Sequence, residues 1–103
     1  MDIQLVRINY TQWGVEGHLY INRQHICDTV EHPTRHLPEG DYPVTSFPFT
    51  HGDGALAAIH GEIIVGQNLM TALVTQSQAT YYRLYERLKK AFQRGSPVHL
   101  RIV

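Results

Sequence analysis

The side chains best suited to chemistry gather in one short stretch. Ala57-Ala58-Ile59-His60-Gly61-Glu62-Ile63-Ile64-Val65-Gly66 sets an imidazole and a carboxylate at a polar corner between two apolar runs. Rigid strands meeting at such a corner aim polar groups into one spot, which is how small β domains build sites. His60 and Glu62 would serve there as a catalytic base and the group that orients it. The plainer alternative is a hydrogen-bonded strand end beside a surface glutamate. The same spacing occurs upstream as His51-x-Asp53, so two imidazoles and two carboxylates are on hand. Zinc accepts such ligands, and three of them plus a water make a reactive centre. The spacing follows no strong metal motif, so neither a metal nor a cofactor is assigned to the chain.

Sulfur offers little. Cys27 is the one cysteine, which excludes an internal disulfide and a C-x-x-C knuckle. His25 stands two residues away and would share its face on a regular strand. A reactive thiol needs an accessible, electropositive setting. Between Ile26 and Val30, Cys27 reads instead as a small core residue. The His60 corner therefore has a base and a carboxylate but no nucleophile.

Composition narrows the classes further. At 103 residues the chain is expected to form a single domain, 1–103, with one core. Lys+Arg and Asp+Glu both number 9, giving zero formal charge. That balance argues against a nucleic-acid partner, which selects for a basic excess, and against an anionic membrane surface. The seven histidines make the charge sensitive to mild acid, although scattered surface histidines are commonplace. No basic start leads into an apolar run, and no apolar run approaches the roughly 20 residues that span a bilayer. The expected location is cytoplasmic, with export by a specialised route leaving no mark in the sequence.

The elements that must position these groups are mostly strands. Residues 3–10, 15–21 and 26–30 carry strand patterns, with a short turn at Asn22-Arg23-Gln24. The polar loop 31–40 contains Pro33, Pro38 and Gly40, which forbid a continuous ladder. Residues 41–47, 55–59 and 62–65 read as further strands, and His51-Gly52-Asp53-Gly54 as a tight turn. Residues 69–74 fit either a strand or the approach to a helix. The clearest element is a helix over 77–94, capped by Ser77 or Thr80 and stopped by Gly95 and Pro97. Tyr81, Leu84, Tyr85, Leu88, Ala91 and Phe92 make its apolar stripe. Arg83, Glu86, Arg87, Lys89, Lys90 and Arg94 form a solvated, mainly basic face. Residues 97–103 close the chain as a strand, expected to pair with the first. One helix cannot cover so many strands. The expected fold is α+β, a mainly antiparallel curled sheet or small barrel with one C-terminal helix packed on it.

These elements carry a resemblance. Gly17-x-Leu19-Tyr20-Ile21, Cys27-x-Thr29-x-Glu31, Leu37-Pro38-Glu39-Gly40-x-Tyr42-x-Val44, Ile59-His60 and Ile63-x-Val65-Gly66 occur in that order before the helix and closing strand. The pattern resembles a family of short uncharacterised bacterial and phage proteins grouped as a domain of unknown function, and it covers nearly the whole chain. That family is in turn distantly similar to L,D-transpeptidases, whose histidine and cysteine crosslink peptidoglycan. His60 matches the family histidine, and Glu62 stands where the cysteine would. The loop between the two is missing. A carboxylate is a much poorer nucleophile toward an amide than a thiolate.

The resemblance thus implies a non-catalytic, phage-related binding or accessory module, with a protein or a cell-wall fragment as partner. A monomer or weak homodimer is expected. One alternative is a cell-wall peptide hydrolase using His60 and Glu62, or a metal gathered by His51, Asp53, His60 and Glu62. Another is a protein inhibitor acting through exposed Trp13, Phe47 and Phe49.

Overall fold

In the computed structural model, residues 1–52 and 63–103 are described, Leu69 and Met70 by their backbone alone. Eight strands and one helix are formed by these residues: β1 Asp2–Tyr10, β2 Val15–Ile21, β3 Gln24–Glu31, β4 Gly40–Pro43, β5 Phe49–Thr50, β6 Ile63–Met70, β7 Leu73–Thr75, α1 Ser77–Gln93 and β8 His99–Ile102. The strands run in the order β4-β8-β1-β2-β3-β6-β5, with β7 paired to β6. Most neighbours are antiparallel; β1 with β8 and β5 with β6 are parallel. The sheet curls into a half-barrel with α1 packed on it, so the chain is an α+β fold. Among the described residues, no helix is long and apolar enough to cross a membrane.

Alternation along the strands decides which side chains meet the helix. Ile3 and Leu5 of β1, Leu19 and Ile21 of β2, Cys27 of β3, Ile63 and Val65 of β6, and Leu100 and Ile102 of β8 form the main core with Leu84, Leu88 and Ala91 of α1. Burying this stripe is what makes the helix stable, because an isolated helix of this length is marginal in water. The expected pairing of the first and last strands is present, with Ile3 opposite Leu100. On the opposite face a small cluster of Val30, Ile64, Ala72 and Val74 lies beneath the β6–β7 hairpin. Gly66 is required there: a Cβ at this position would stand 2.8 Å from the Thr75 carbonyl oxygen.

Several expected boundaries move, each for a local reason. Residues 69–74 are a hairpin, not an approach to the helix: Met70 pairs with Leu73 across a turn in which Ala72 takes φ 54°. The strand expected over 41–47 ends at Pro43, and Phe47 leaves the sheet to meet Tyr81 and Tyr85 edge-on. Neither Ser77 nor Thr80 caps the helix. Gln76 is the N-cap, in a left-handed conformation and with no side-chain cap bond. Ser77 is fully buried and bridges elements instead: its hydroxyl donates to the Val65 carbonyl and accepts the Gly52 N–H at 3.0 Å. The stop at Gly95 is as expected, with φ 69°. Along the expected stripe, Phe92 is half-buried and Tyr85 is 39% exposed, so the buried face narrows to Leu84, Leu88 and Ala91.

Candidate functional site

Among the described residues, the β2–β3 hairpin gathers a group of three metal-capable side chains, and a bulge decides its membership. The turn is two residues long, Asn22-Arg23, both with positive φ (49° and 71°), as a type I′ turn requires. Ile21 pairs with Gln24 and Tyr20 with His25, but Leu19 pairs with Cys27, so Ile26 is an extra residue in the ladder. A regular hairpin would set His18 opposite Cys27; the bulge sets it opposite Asp28. The same shift turns Cys27 inward, away from the face of His25, and sets Asp28 on the outer face beside His25. The expectation that His25 and Cys27 share a face is therefore corrected by one inserted residue.

On that outer face His18 Nδ1 lies 2.8 Å and His25 Nε2 3.3 Å from Asp28 Oδ1. The other carboxylate oxygen, Oδ2, accepts the Asn68 N–H at 2.8 Å, which fixes the plane of the group. His25 is held edge-on against both neighbouring rings, 5.3 Å from His18 and 5.6 Å from Tyr20. Partial burial works against charge on Asp28. The hydrogen bonds from Asn68 and the two histidines outweigh it and hold the carboxyl below its ordinary range. The ligand-capable atoms of His18, His25 and Asp28 all lie within 4.8 Å of one another.

Two further carboxylates are occupied structurally. Glu16, on the same face, is buried and accepts from Asn9 Nδ2 at 2.9 Å, Asn68 Nδ2 at 3.1 Å and Ala72 N at 2.9 Å. Burial alone would raise its pKa; the three donors reverse the sign and lower it. Asn9 reaches Glu16 because a register shift between Arg7 and Asn9 turns it to this side. Glu31 is fully buried and takes a bidentate bond from Arg7, with Nε to Oε2 at 2.9 Å and Nη2 to Oε1 at 2.8 Å. The same Nη2 donates to the Leu37 carbonyl at 2.6 Å, fastening the proline-containing loop to β1.

The residues singled out from the sequence fare differently. His60, Glu62 and Asp53 lie outside the described residues, as does the strand expected over 55–59. His51 is exposed and packs against Tyr81 at 4.9 Å between ring centroids. Cys27 is buried, and burial, with a smaller push from the Asp28 charge, raises its thiol to about 12. Such a thiol is not a thiolate at neutral pH.

Of the aromatics expected at the surface, Trp13 is 63% exposed, but Phe47 is half-buried and Phe49 is a core residue. Tyr10 and Trp13 are exposed near the β1–β2 turn, and a further aromatic cluster lies at the first turns of α1, where Tyr81, Tyr82 and Tyr85 gather with Phe47 and His51. Tyr82 is 54% exposed there. The three-residue polar cluster had one faint signal in the sequence, His25-x-x-Asp28 following a histidine in the partner strand. Compared with family models, curated proteins and solved structures, the chain matches none.

Proposed function

We propose that this chain is a non-catalytic binding or accessory module of the phage-related type that resembles L,D-transpeptidases, and that it holds a cell-wall fragment. One observation carries the reading: the chain's only sulfur nucleophile is buried in the main core with its thiol pushed up to about 12. Acyl transfer of the transpeptidase kind proceeds through an attacking thiolate, and Cys27 does not offer one. The buried carboxylates point the same way. Glu16 and Glu31 spend their acceptor capacity on fixed donors and hold the scaffold together.

Among the described residues, an aromatic cluster on α1 offers surface to an organic ligand. Tyr82 and Tyr85 stand beside Tyr81, Phe47 and His51, and rings of this kind combine a flat apolar face with a polar tip. A muropeptide, with sugar faces and a short peptide, suits such a platform. Titrating labelled protein with soluble muropeptides should shift the amide resonances of Phe47, Tyr81, Tyr82 and Tyr85 saturably. Tyr82→Ala should weaken binding while leaving the unfolding midpoint within the range usual for surface changes. Absence of any saturable shift, or shifts confined to the far side of the sheet, would count against this ligand and face.

A further inference from the structure

We propose that His18, His25 and Asp28 form a binding site for a divalent transition-metal ion, with zinc the natural occupant. The proposal stands on side-chain placement and is independent of the muropeptide reading. Two imidazoles and one carboxylate are a donor set that zinc accepts, and three protein ligands leave a position for water. A tetrahedral zinc with bonds of about 2.0–2.1 Å keeps its ligand atoms roughly 3.3–3.5 Å apart. His25 Nε2 already stands 3.3 Å from Asp28 Oδ1. His18 Nδ1 stands 2.8 Å away and needs to open by only a few tenths of an ångström. All three ligand atoms lie within 4.8 Å of one another, so small side-chain rotations would bring them to the spacing that one ion needs.

The surroundings are built like a metal site's second layer. The Asn68 N–H anchors the carboxylate oxygen that faces away from the histidines, leaving Oδ1 to point at them. Such outer bonds orient ligands and raise affinity. His25 already shares the outer face through its pairing with Tyr20, and the Ile26 bulge brings Asp28 to that face, directly opposite His18. The side chains of His18, His25 and Asp28 are 35%, 50% and 19% exposed, so an ion can enter and keep a water. The one bulge both turns Cys27 into the main core and gathers these three groups on the outer face. Bulges that re-aim a side chain are over-represented beside active sites, as they are at sheet edges and barrel rims.

The test uses the purified full chain, stripped with chelator and then titrated with Zn²⁺ by calorimetry and with Co²⁺ by visible absorption. The expected result is one ion per chain and cobalt d–d bands of low-coordinate type. His25→Ala and Asp28→Asn should each weaken Zn²⁺ binding more than about 10-fold, the lower end of what even outer-layer changes cost. His99→Ala, which changes an exposed histidine on β8, should leave affinity unchanged. Because His25 is exposed, its alanine variant should keep the parent's circular dichroism and unfolding midpoint without metal, which separates lost ligation from lost folding. Absence of saturable one-to-one binding would overturn the proposal. So would equal affinity in His25→Ala, or a loss that follows His99→Ala instead.

Discussion

Arg7 and Glu31 form a bidentate ion pair at the margin of the core, with their side chains only 2% and 0% exposed. Arg7 also donates to the Leu37 carbonyl, so one guanidinium joins β1, the end of β3 and the loop that leads to β4. Removing one partner of such a pair leaves an uncompensated buried charge. Glu31→Ala should therefore destabilise by about 3–5 kcal/mol in chemical denaturation. A loss below about 1 kcal/mol, the usual worth of an exposed pair, would mean that water reaches the guanidinium.

Acid should destabilise the fold through carboxylates rather than through the core. Glu16 and Asp28 both have pKa values lowered in the folded state, burial being outweighed by donated hydrogen bonds. A carboxyl of this kind contributes stability above its unfolded pKa, about 4, and loses it as pH falls through the folded value. The denaturation midpoint should stay level down to about pH 5 and fall below about pH 4. Glu16→Gln should be less stable at pH 7 and show a shallower acid decline. An unchanged decline in that variant would remove Glu16 from the explanation.

Leu88 sits at the centre of the helix–sheet contact and is 0% exposed, so Leu88→Ala should cost about 2–5 kcal/mol. Phe92→Ala should cost less despite its larger side chain, because the ring is only half-buried. Equal losses measured by urea unfolding would show that the helix end packs more tightly than the burial pattern indicates.

Arg23 occupies the second position of the type I′ turn with φ 71°, where a Cβ is disfavoured. Arg23→Gly should stabilise the chain by up to about 1 kcal/mol, with no change in zinc affinity since the register is kept. A destabilisation of that size would show that the Arg23 side chain makes a contact worth more than the strain.

Much of the fold is legible in the residues themselves. Alternation in β1 and β2, the Leu84–Leu88–Ala91 stripe and the Gly95 stop are local patterns, and the pairing of first and last strands follows from covering both ends. The polar site is not legible in this way. It depends on an extra residue, Ile26, in the β3 ladder, and nothing in Gln24-His25-Ile26-Cys27 distinguishes a bulge from a regular strand. A shift of one residue exchanges Cys27 for Asp28 opposite His18, which changes the chemistry of the face entirely. Ser77 misleads for a related reason: its residue type suits a helix cap, but its burial between β6 and the Gly52 backbone gives the hydroxyl other partners. The His60 corner drew attention through residue types alone, and its chemistry is decided by assay.

The most direct measurement of the central claim is turnover. Purified protein, both chelator-stripped and zinc-loaded, is incubated with peptidoglycan stem peptides, and the products are followed by mass spectrometry. The non-catalytic reading predicts neither cleavage nor crosslinking in either state, and the same outcome for Cys27→Ala and His60→Ala. Cleavage by the wild-type chain, lost on His60→Ala while the unfolding transition is unchanged, would contradict it.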